Sequence, residues 1–350
     1  MSCCVCYLGR LRNISIVARS LILQSHEQGW AGISLQTSEL SPPQSMELQL
    51  RLISAAVNPA DINMIEGRYL IQPPLGFCLG NEGVFEVITV GEDVHGFKVG
   101  DRVILPFKDE QSWVGGWCSH CVVSAESAVK VPEGISDHLA GMSTVNPLTA
   151  LLLLTRFVTL DPTLPMIQNA ANSNLGRWVA AFVKRLGVTC IHIVRSQRAL
   201  ESLSEADQRT ALVYEKGIET QVLDRYGYCQ LALNGVGGDQ AKSLAKVLAP
   251  HASLVTYGAM AKQPLSFGNG LFIFQNIVLT GFNRSRFLQE HPVAEIRELY
   301  ECVFEWMLDV DPSFFPVSKT FSLDSYNQAL DHVLSNERLA KVLFVGDGVK

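Results

Sequence analysis

The sequence predicts an α/β protein in two parts, a β-rich region followed by a doubly wound parallel sheet. Three observations carry that expectation. From Ile14 to about Met142, short alternating apolar runs are separated by Gly, Pro and Asp turns. From Val145 onward, apolar β-runs alternate with stretches of helical periodicity, the pattern of parallel strands joined by crossover helices. Within residues 166–195, MIQNAANSNLGRWVAAFVKRLGVTCIHIVR, a whole strand–turn–helix–strand unit can be read.

In the first region, residues 47–57, 83–90 and 103–106 read as strands, with Gly91-Glu92-Asp93 and Val99-Gly100-Asp101-Arg102 as turns. Around Val145-Asn146-Pro147-Leu148-Thr149-Ala150 the texture becomes helical. Six strands are then expected at 165–168, 189–194, 220–223, 230–234, 253–257 and 277–282, the number in a complete doubly wound dinucleotide domain. In the helix of the 166–195 unit, Trp178, Val179, Phe182, Val183 and Leu186 share a face. Arg177, Lys184 and Arg185 are expected opposite, and Gly187 stops the helix. A charged amphipathic helix follows at 293–307, and a last strand at 341–345 rejoins the first domain. The predicted division is an extension at 1–13, a first domain of 14–144 and 288–350, and a second of 145–287.

Composition narrows the function. A chain of 350 residues with 47% hydrophobic content buries a large core. The net charge of −6, with no basic run interleaved with aromatics, argues against nucleic acid as a partner. The most apolar run, 148–154, is ended by Arg156 and falls short of the ~20 residues a membrane span needs, so a soluble protein is expected. Nine cysteines, an odd number scattered through apolar segments, indicate a reducing compartment. Cytoplasm is the reading. The mitochondrial matrix is the alternative, because MSCCVCYLGRLRN has arginines and no acids, although a loose extension or a misplaced start explains that stretch at least as well.

The turn Ala170-Ala171-Asn172-Ser173-Asn174-Leu175-Gly176 holds one glycine where a fingerprint would hold several. Spacing alone leaves a cofactor loop and an ordinary crossover equally open.

A set of motifs resolves the choice. NPADINMIEGRY at 58–69, GNEG at 80–83, GDRV at 100–103 and NPLTA at 146–150 occur in order. IQNAANSNLG at 167–176, LALNGVGG at 231–238 and VTYGAMAKQP at 255–264 follow. Together they resemble the medium-chain dehydrogenase/reductase superfamily and, within it, the 2-enoyl thioester reductases of mitochondrial-type fatty acid synthesis. The resemblance implies a GroES-like β-rich catalytic domain plus a Rossmann cofactor domain. It implies NADPH-dependent reduction of trans-2-enoyl thioesters, on coenzyme A or acyl carrier protein, to saturated acyl thioesters.

That reaction needs hydride at the β-carbon and a proton at the α-carbon, and it is eased by polarising the thioester carbonyl, where enolate charge builds. Tyr69 matches the family's tyrosine. A phenol stays protonated near neutral pH and can donate to a carbon or a carbonyl. A half-buried loop tyrosine is the competing reading. An NADPH:quinone or enone oxidoreductase, needing no dedicated acid, and a non-catalytic NADPH-binding module are the alternative functions.

The zinc branch of the superfamily is not expected. Gly80-Asn81-Glu82-Gly83 lacks the usual histidine, and Cys118 and Cys121, with His120 between, supply too few ligands for a tetrahedral site. NADPH is favoured over NADH because the second strand ends in Arg195-Ser196-Gln197, a cation and hydroxyl suited to a 2′-phosphate, where an NAD enzyme places a carboxylate. The resemblance puts Asn146, Ser173, Asn174, Leu175, Gly176, Tyr257, Gly258, Ala259, Met260, Phe282 and Lys341 at cofactor-contacting positions.

Three departures from the family are visible. Asn174 stands where glycine is usual, an exchange a left-handed backbone would tolerate. Asn283-Arg284 replaces a bulkier aromatic–aliphatic pair, and the 199–228 segment is short. Relatives pair through an edge strand, here near 272–282, whose apolar GLFIFQNIVLTGF suits a homodimer; a buried strand is the competing explanation.

Overall fold

Alternation of apolar residues makes the first part of the chain a set of strands. The computed structural model describes residues 16–69, 74–107, 114–334 and 340–347, so the expected extension at 1–13 lies outside them. Two compact units emerge: Met1–Val131 with Phe321–Ala329 and Phe344–Lys350, and Pro132–Thr320 with Leu330–Leu343.

In the first unit, β1 (Ile16–Leu23) pairs antiparallel with β2 (Ile33–Leu40), from Ile16 opposite Leu40 to Leu23 opposite Ile33. β3 (Glu47–Ala56) is buried along most of its length, as a central strand must be. It leads through the N-cap Asn58 into α1 (Pro59–Ile65), whose first position holds the proline that a helix start tolerates. β4 (Val84–Val90), β5 (Arg102–Ile104), β6 (His120–Ser124) and β7 (Val129–Lys130) extend the sheet: β4 and β6 both pair with β3, β5 with β4, and β7 with β5. Trp117 is fully buried, donates its indole N–H to Ala56 O at 3.2 Å, and meets the ring of Phe344 edge-on at 5.1 Å. Gly346 N donates to Ile53 O at 3.0 Å, so the end of the chain rejoins this unit.

The second unit opens with α2 (Asp137–Ala140) and α3 (Asn146–Thr155). Then come β8 (Met166–Gln168), α4 (Asn174–Arg185), β9 (Cys190–Val194), α5 (Gln197–Glu201), α6 (Glu205–Gln208) and β10 (Ala211–Val213). α7 (Ile218–Tyr226), β11 (Cys229–Asn234), α8 (Gly238–Lys246), β12 (Leu248–Thr256), α9 (Gly270–Ile273) and β13 (Val278–Gly281) follow. The six strands pair in parallel in the order β10-β9-β8-β11-β12-β13, a doubly wound sheet whose direction reverses between β8 and β11. After it lie α10 (Arg284–Glu290), α11 (Val293–Leu308), β14 (Val317–Phe321), α12 (Tyr326–Leu334) and β15 (Lys341–Val345).

Three expectations are corrected. The third strand is Ala211–Val213; residues 220–223 sit inside α7, where Ile218 and Val222, four apart, form its buried face. The second unit begins at Pro132 rather than 145 and keeps residues 288–320. It keeps them because α11 packs on the helices of that unit: Trp306 meets Phe182 of α4 edge-on at 5.2 Å, and Tyr300 OH donates to Thr144 O at 2.6 Å. Finally, Arg177 is buried, although helical spacing puts it on the polar face; Lys184 and Arg185 are exposed as expected.

Candidate active site

Four strand ends of the parallel sheet, β8, β9, β11 and β12, finish on the same side, where a doubly wound fold receives its ligand. The turn after β8 is built by close approach. A Cβ on Gly176 would stand 2.6 Å from the carbonyl oxygens of both Ala170 and Ala171, so only glycine lets α4 start so near the strand. Ser173 is the N-cap of α4 and accepts from Gly176 N at 3.1 Å, which commits its hydroxyl to the helix. Gln168 Nε2 donates to Gly176 O at 2.9 Å from beneath. Asn174 begins the helix and does not take a left-handed backbone; the left-handed residue of the turn is Ala170, with φ +51°.

A buried polar network ties the neighbouring strand ends together. Asn169 Nδ2 donates to Asn234 Oδ1 at 2.9 Å, and Asn169 Oδ1 accepts from Gly235 N at 2.7 Å. Asn234 Oδ1 also accepts from Gly237 N at 3.0 Å, while its Nδ2 donates to Thr256 Oγ1 at 3.1 Å. The loops after β11 and β12 pair with each other, Met260 N on Gly235 O at 3.2 Å and Ala261 N on Val236 O at 2.9 Å. Gly235 is required here, because a Cβ would meet the Tyr257 hydroxyl at 2.7 Å. Asn169 and Asn234 were missed in the sequence. Their signal is an amide ending an otherwise apolar strand, at a place where a sheet cannot bury an unpaired polar group.

Thus Ser173, Asn174, Leu175 and Gly176 follow β8, and Tyr257, Gly258, Ala259 and Met260 follow β12, the two strands that flank β11. Arg195 lies exposed just past β9 and makes no ion pair among the described residues. Ser196 caps α5, accepting from Ala199 N at 3.3 Å, and Gln197 is the first residue of that helix, bonded to Glu201. Phe282 N donates to Thr256 O at 3.0 Å, placing it past β13 beside the same edge. Asn146 begins α3, and Asn174 Nδ2 reaches Met142 Sδ, just before that helix, at 3.8 Å. Lys341 is buried at the start of β15, next to β14.

Do these residues suit a dinucleotide? Asn174 Oδ1, Thr144 Oγ1 and Tyr257 OH are enclosed and find no partner among the described residues. Buried polar atoms ordinarily have one, so the strand ends have hydrogen-bonding capacity to spare. Burial also pushes the Tyr257 phenol well above the ordinary range, which keeps it a neutral donor. With the Gly176 cradle, the donor set fits NADPH.

In the first unit, one carboxylate organises the NPADIN and GNEG motifs. Asp61 Oδ2 accepts from Asn58 N at 2.7 Å, and Oδ1 accepts from Asn81 N at 2.9 Å and Asn81 Nδ2 at 2.7 Å. Asn58 Nδ2 donates to Glu82 Oε1 at 2.7 Å. All four side chains are buried. Tyr69 is half-buried and lies in the turn after α1, its N–H bonded to Asn63 O at 3.1 Å. Asp61 therefore fixes α1, and α1 fixes the backbone of Tyr69.

Asn81 is thus committed to Asp61, and Cys118 Sγ donates to Gly115 O at 3.4 Å. No group of three or more His, Cys, Asp or Glu able to hold a metal occurs among the described residues. Nor is any described helix long and apolar enough to cross a membrane. Burial raises the thiols of Cys190 and, to about 12, Cys229, so both stay protonated in the core.

Comparison with known proteins agrees with this architecture. Residues 44–139 match the alcohol dehydrogenase GroES-like domain family. The chain is 33% identical over 315 residues to the mitochondrial enoyl-[acyl-carrier-protein] reductase of Xenopus tropicalis, covering 85% of this chain and 88% of that protein. The Etr1p/NADP/crotonyl-CoA complex superposes with a TM-score of 0.81 at 25% identity, over 94% of this chain and all of that one. A quinone oxidoreductase from Pseudomonas syringae superposes at 0.76 with 20% identity, over 94% of this chain and 99% of that chain, so the fold alone does not separate the two activities.

Proposed function

This chain belongs to the mitochondrial-type enoyl-[acyl-carrier-protein] reductases, and we propose on that premise that it reduces trans-2-enoyl thioesters with NADPH. The observation that most supports this reading over quinone reduction is one-third identity along most of the chain to the curated reductase. The NADP and crotonyl-CoA carried by the related solved complex point the same way.

NADPH, when bound, supplies the hydride to the β-carbon. The rest falls to the chain. Tyr69 donates the proton that the α-carbon takes up, and its hydroxyl can first hydrogen-bond the thioester carbonyl, where negative charge grows. Asp61, through α1, holds the backbone that carries that phenol. The 170–176 turn, with Gly176 admitting close backbone approach, holds the pyrophosphate at the start of α4. Asn146, Tyr257 to Met260, Phe282 and Lys341 line the remainder of the dinucleotide. Arg195 and Ser196 select the 2′-phosphate.

A homodimer through β13 is part of the proposal. That strand ends the sheet, with β12 as its one described neighbour. Around it Ile273 is 70%, Phe274 84% and Val278 48% exposed, an apolar edge rather than a buried strand. The mitochondrial naming of the relatives supports the matrix over the cytoplasm as its location.

The test is NADPH consumption with crotonyl thioesters of coenzyme A and of acyl carrier protein, beside a quinone panel and an NADH control. Turnover of either thioester is expected. Turnover of quinones alone would reject the reading, and the two thioesters together identify the carrier.

A further inference from the structure

Helical spacing places Arg177 in solvent, and the fold buries it instead: it is 9% exposed. Its guanidinium lies under the turn that precedes α4. Nε donates to Asn172 O at 3.3 Å, Nη1 to Phe314 O at 3.2 Å, and Nη2 to Ser202 O at 2.7 Å and Ser202 Oγ at 3.2 Å. All four acceptors are neutral.

Among the described residues no carboxylate comes within ion-pair distance of it. Asp207, the acid whose field reaches Arg177, is already held by Lys184 Nζ at 2.8 Å and Ser204 Oγ at 2.5 Å, with His192 Nε2 at 3.6 Å. The carbonyls satisfy the donors of the guanidinium without cancelling its charge. A buried ion lacking a counter-ion is expensive. The position adds to the cost, because Arg177 is the fourth residue of α4 and the start of a helix already carries positive dipole charge. The fold therefore concentrates unbalanced positive charge beneath one loop.

We propose that Arg177 is a buried electrostatic anchor for the dinucleotide pyrophosphate, a cation desolvated in advance whose missing counter-charge arrives with the cofactor. The inference rests on the reading that NADPH occupies the 170–176 turn. It adds a binding determinant distinct from Arg195: Arg195 is exposed and reads only the 2′-phosphate, whereas Arg177 acts on a group that NADPH and NADH share.

Two variants separate charge from scaffolding. Arg177→Gln keeps a side-chain donor and removes the charge. Arg177→Lys keeps the charge and loses the fork that reaches three carbonyls. Dissociation constants for NADPH and NADH are read by fluorescence titration at low and high salt, with circular dichroism to confirm the fold.

The expected result is a loss of about tenfold for both cofactors in Arg177→Gln, little changed by salt because a buried charge is weakly screened, with Arg177→Lys within about threefold of wild type. Unchanged binding in Arg177→Gln overturns the proposal, and so does an equal loss in both variants, which is what a purely structural clamp gives. Wild-type protein that binds neither cofactor would remove the functional reading as well; wild-type binding that survives in Arg177→Gln removes only this inference.

Discussion

Ala170 and Gly176 face each other across the turn after β8 so closely that a Cβ on Gly176 would stand 2.6 Å from the Ala170 carbonyl oxygen. The same turn holds Ala170 at φ +51°. One residue is a glycine of necessity; the other occupies a glycine-like conformation without being one. Ala170→Gly should therefore stabilise the protein by about 1 kcal/mol, since a left-handed alanine costs roughly that much. Gly176→Ala should destabilise it by about 1–3 kcal/mol through overpacking against backbone. Urea unfolding of both variants checks the pair, and a destabilised Ala170→Gly would show that the turn is not strained there.

Tyr69→Phe removes one oxygen and should lower kcat on enoyl thioesters by about 100-fold or more while leaving NADPH affinity intact, because general-acid catalysis contributes on that scale. Single-turnover rates beside cofactor titration separate chemistry from binding. Retained turnover would return Tyr69 to an ordinary loop residue.

Asp61→Asn tests the support behind that phenol. The amide turns an acceptor into a donor facing the N–H groups of Asn58 or Asn81, in a site only 1% exposed. A loss of about 2–4 kcal/mol is expected, with kcat falling further than NADPH affinity. Unaltered kcat in a destabilised protein would confine Asp61 to folding.

Arg195→Ala should weaken NADPH by about 10–100-fold and leave NADH nearly untouched, the range for a charge-assisted bond to phosphate. Because Arg195 is exposed, the effect should shrink at high salt. Equal losses for the two cofactors would sink the 2′-phosphate assignment.

Asp207 makes part of the stability depend on pH. Burial pushes its carboxyl up, but the nearby His192 imidazole and the bonds from Lys184 and Ser204 outweigh that and hold it below the usual carboxylate range. A carboxylate whose folded pKa lies below its unfolded value contributes fully above the unfolded value, about pH 4, and loses the contribution as pH falls toward the folded one. Asp207→Asn should thus cost about 2 kcal/mol at both pH 7 and pH 5, with the gap to wild type narrowing at pH 3. A gap that widens on acidification would contradict the assignment.

What the sequence determined by itself is whatever local periodicity and chemistry encode. β8, β9, β11, β13 and β15 announce themselves as short apolar or β-branched runs, α11 by its amphipathic spacing, and Tyr69 and the Ser173–Gly176 turn by their motifs. The third strand was not legible, because Ala211–Val213 is three residues long while the neighbouring helix α7 is rich in apolar residues. Tertiary structure alone decided which polar residues go inside. Helical spacing gives Arg177 to solvent, yet α5 and the turn before β14 close over it with carbonyls. Asn169 and Asn234 lie 65 residues apart and become partners only when β8 and β11 pair. It also put the left-handed residue of the turn at Ala170, since backbone conformation there is set by how closely α4 must approach its strand. Periodicity reports the average environment of an element; the price of a buried charge or a forced φ is set by contacts between elements.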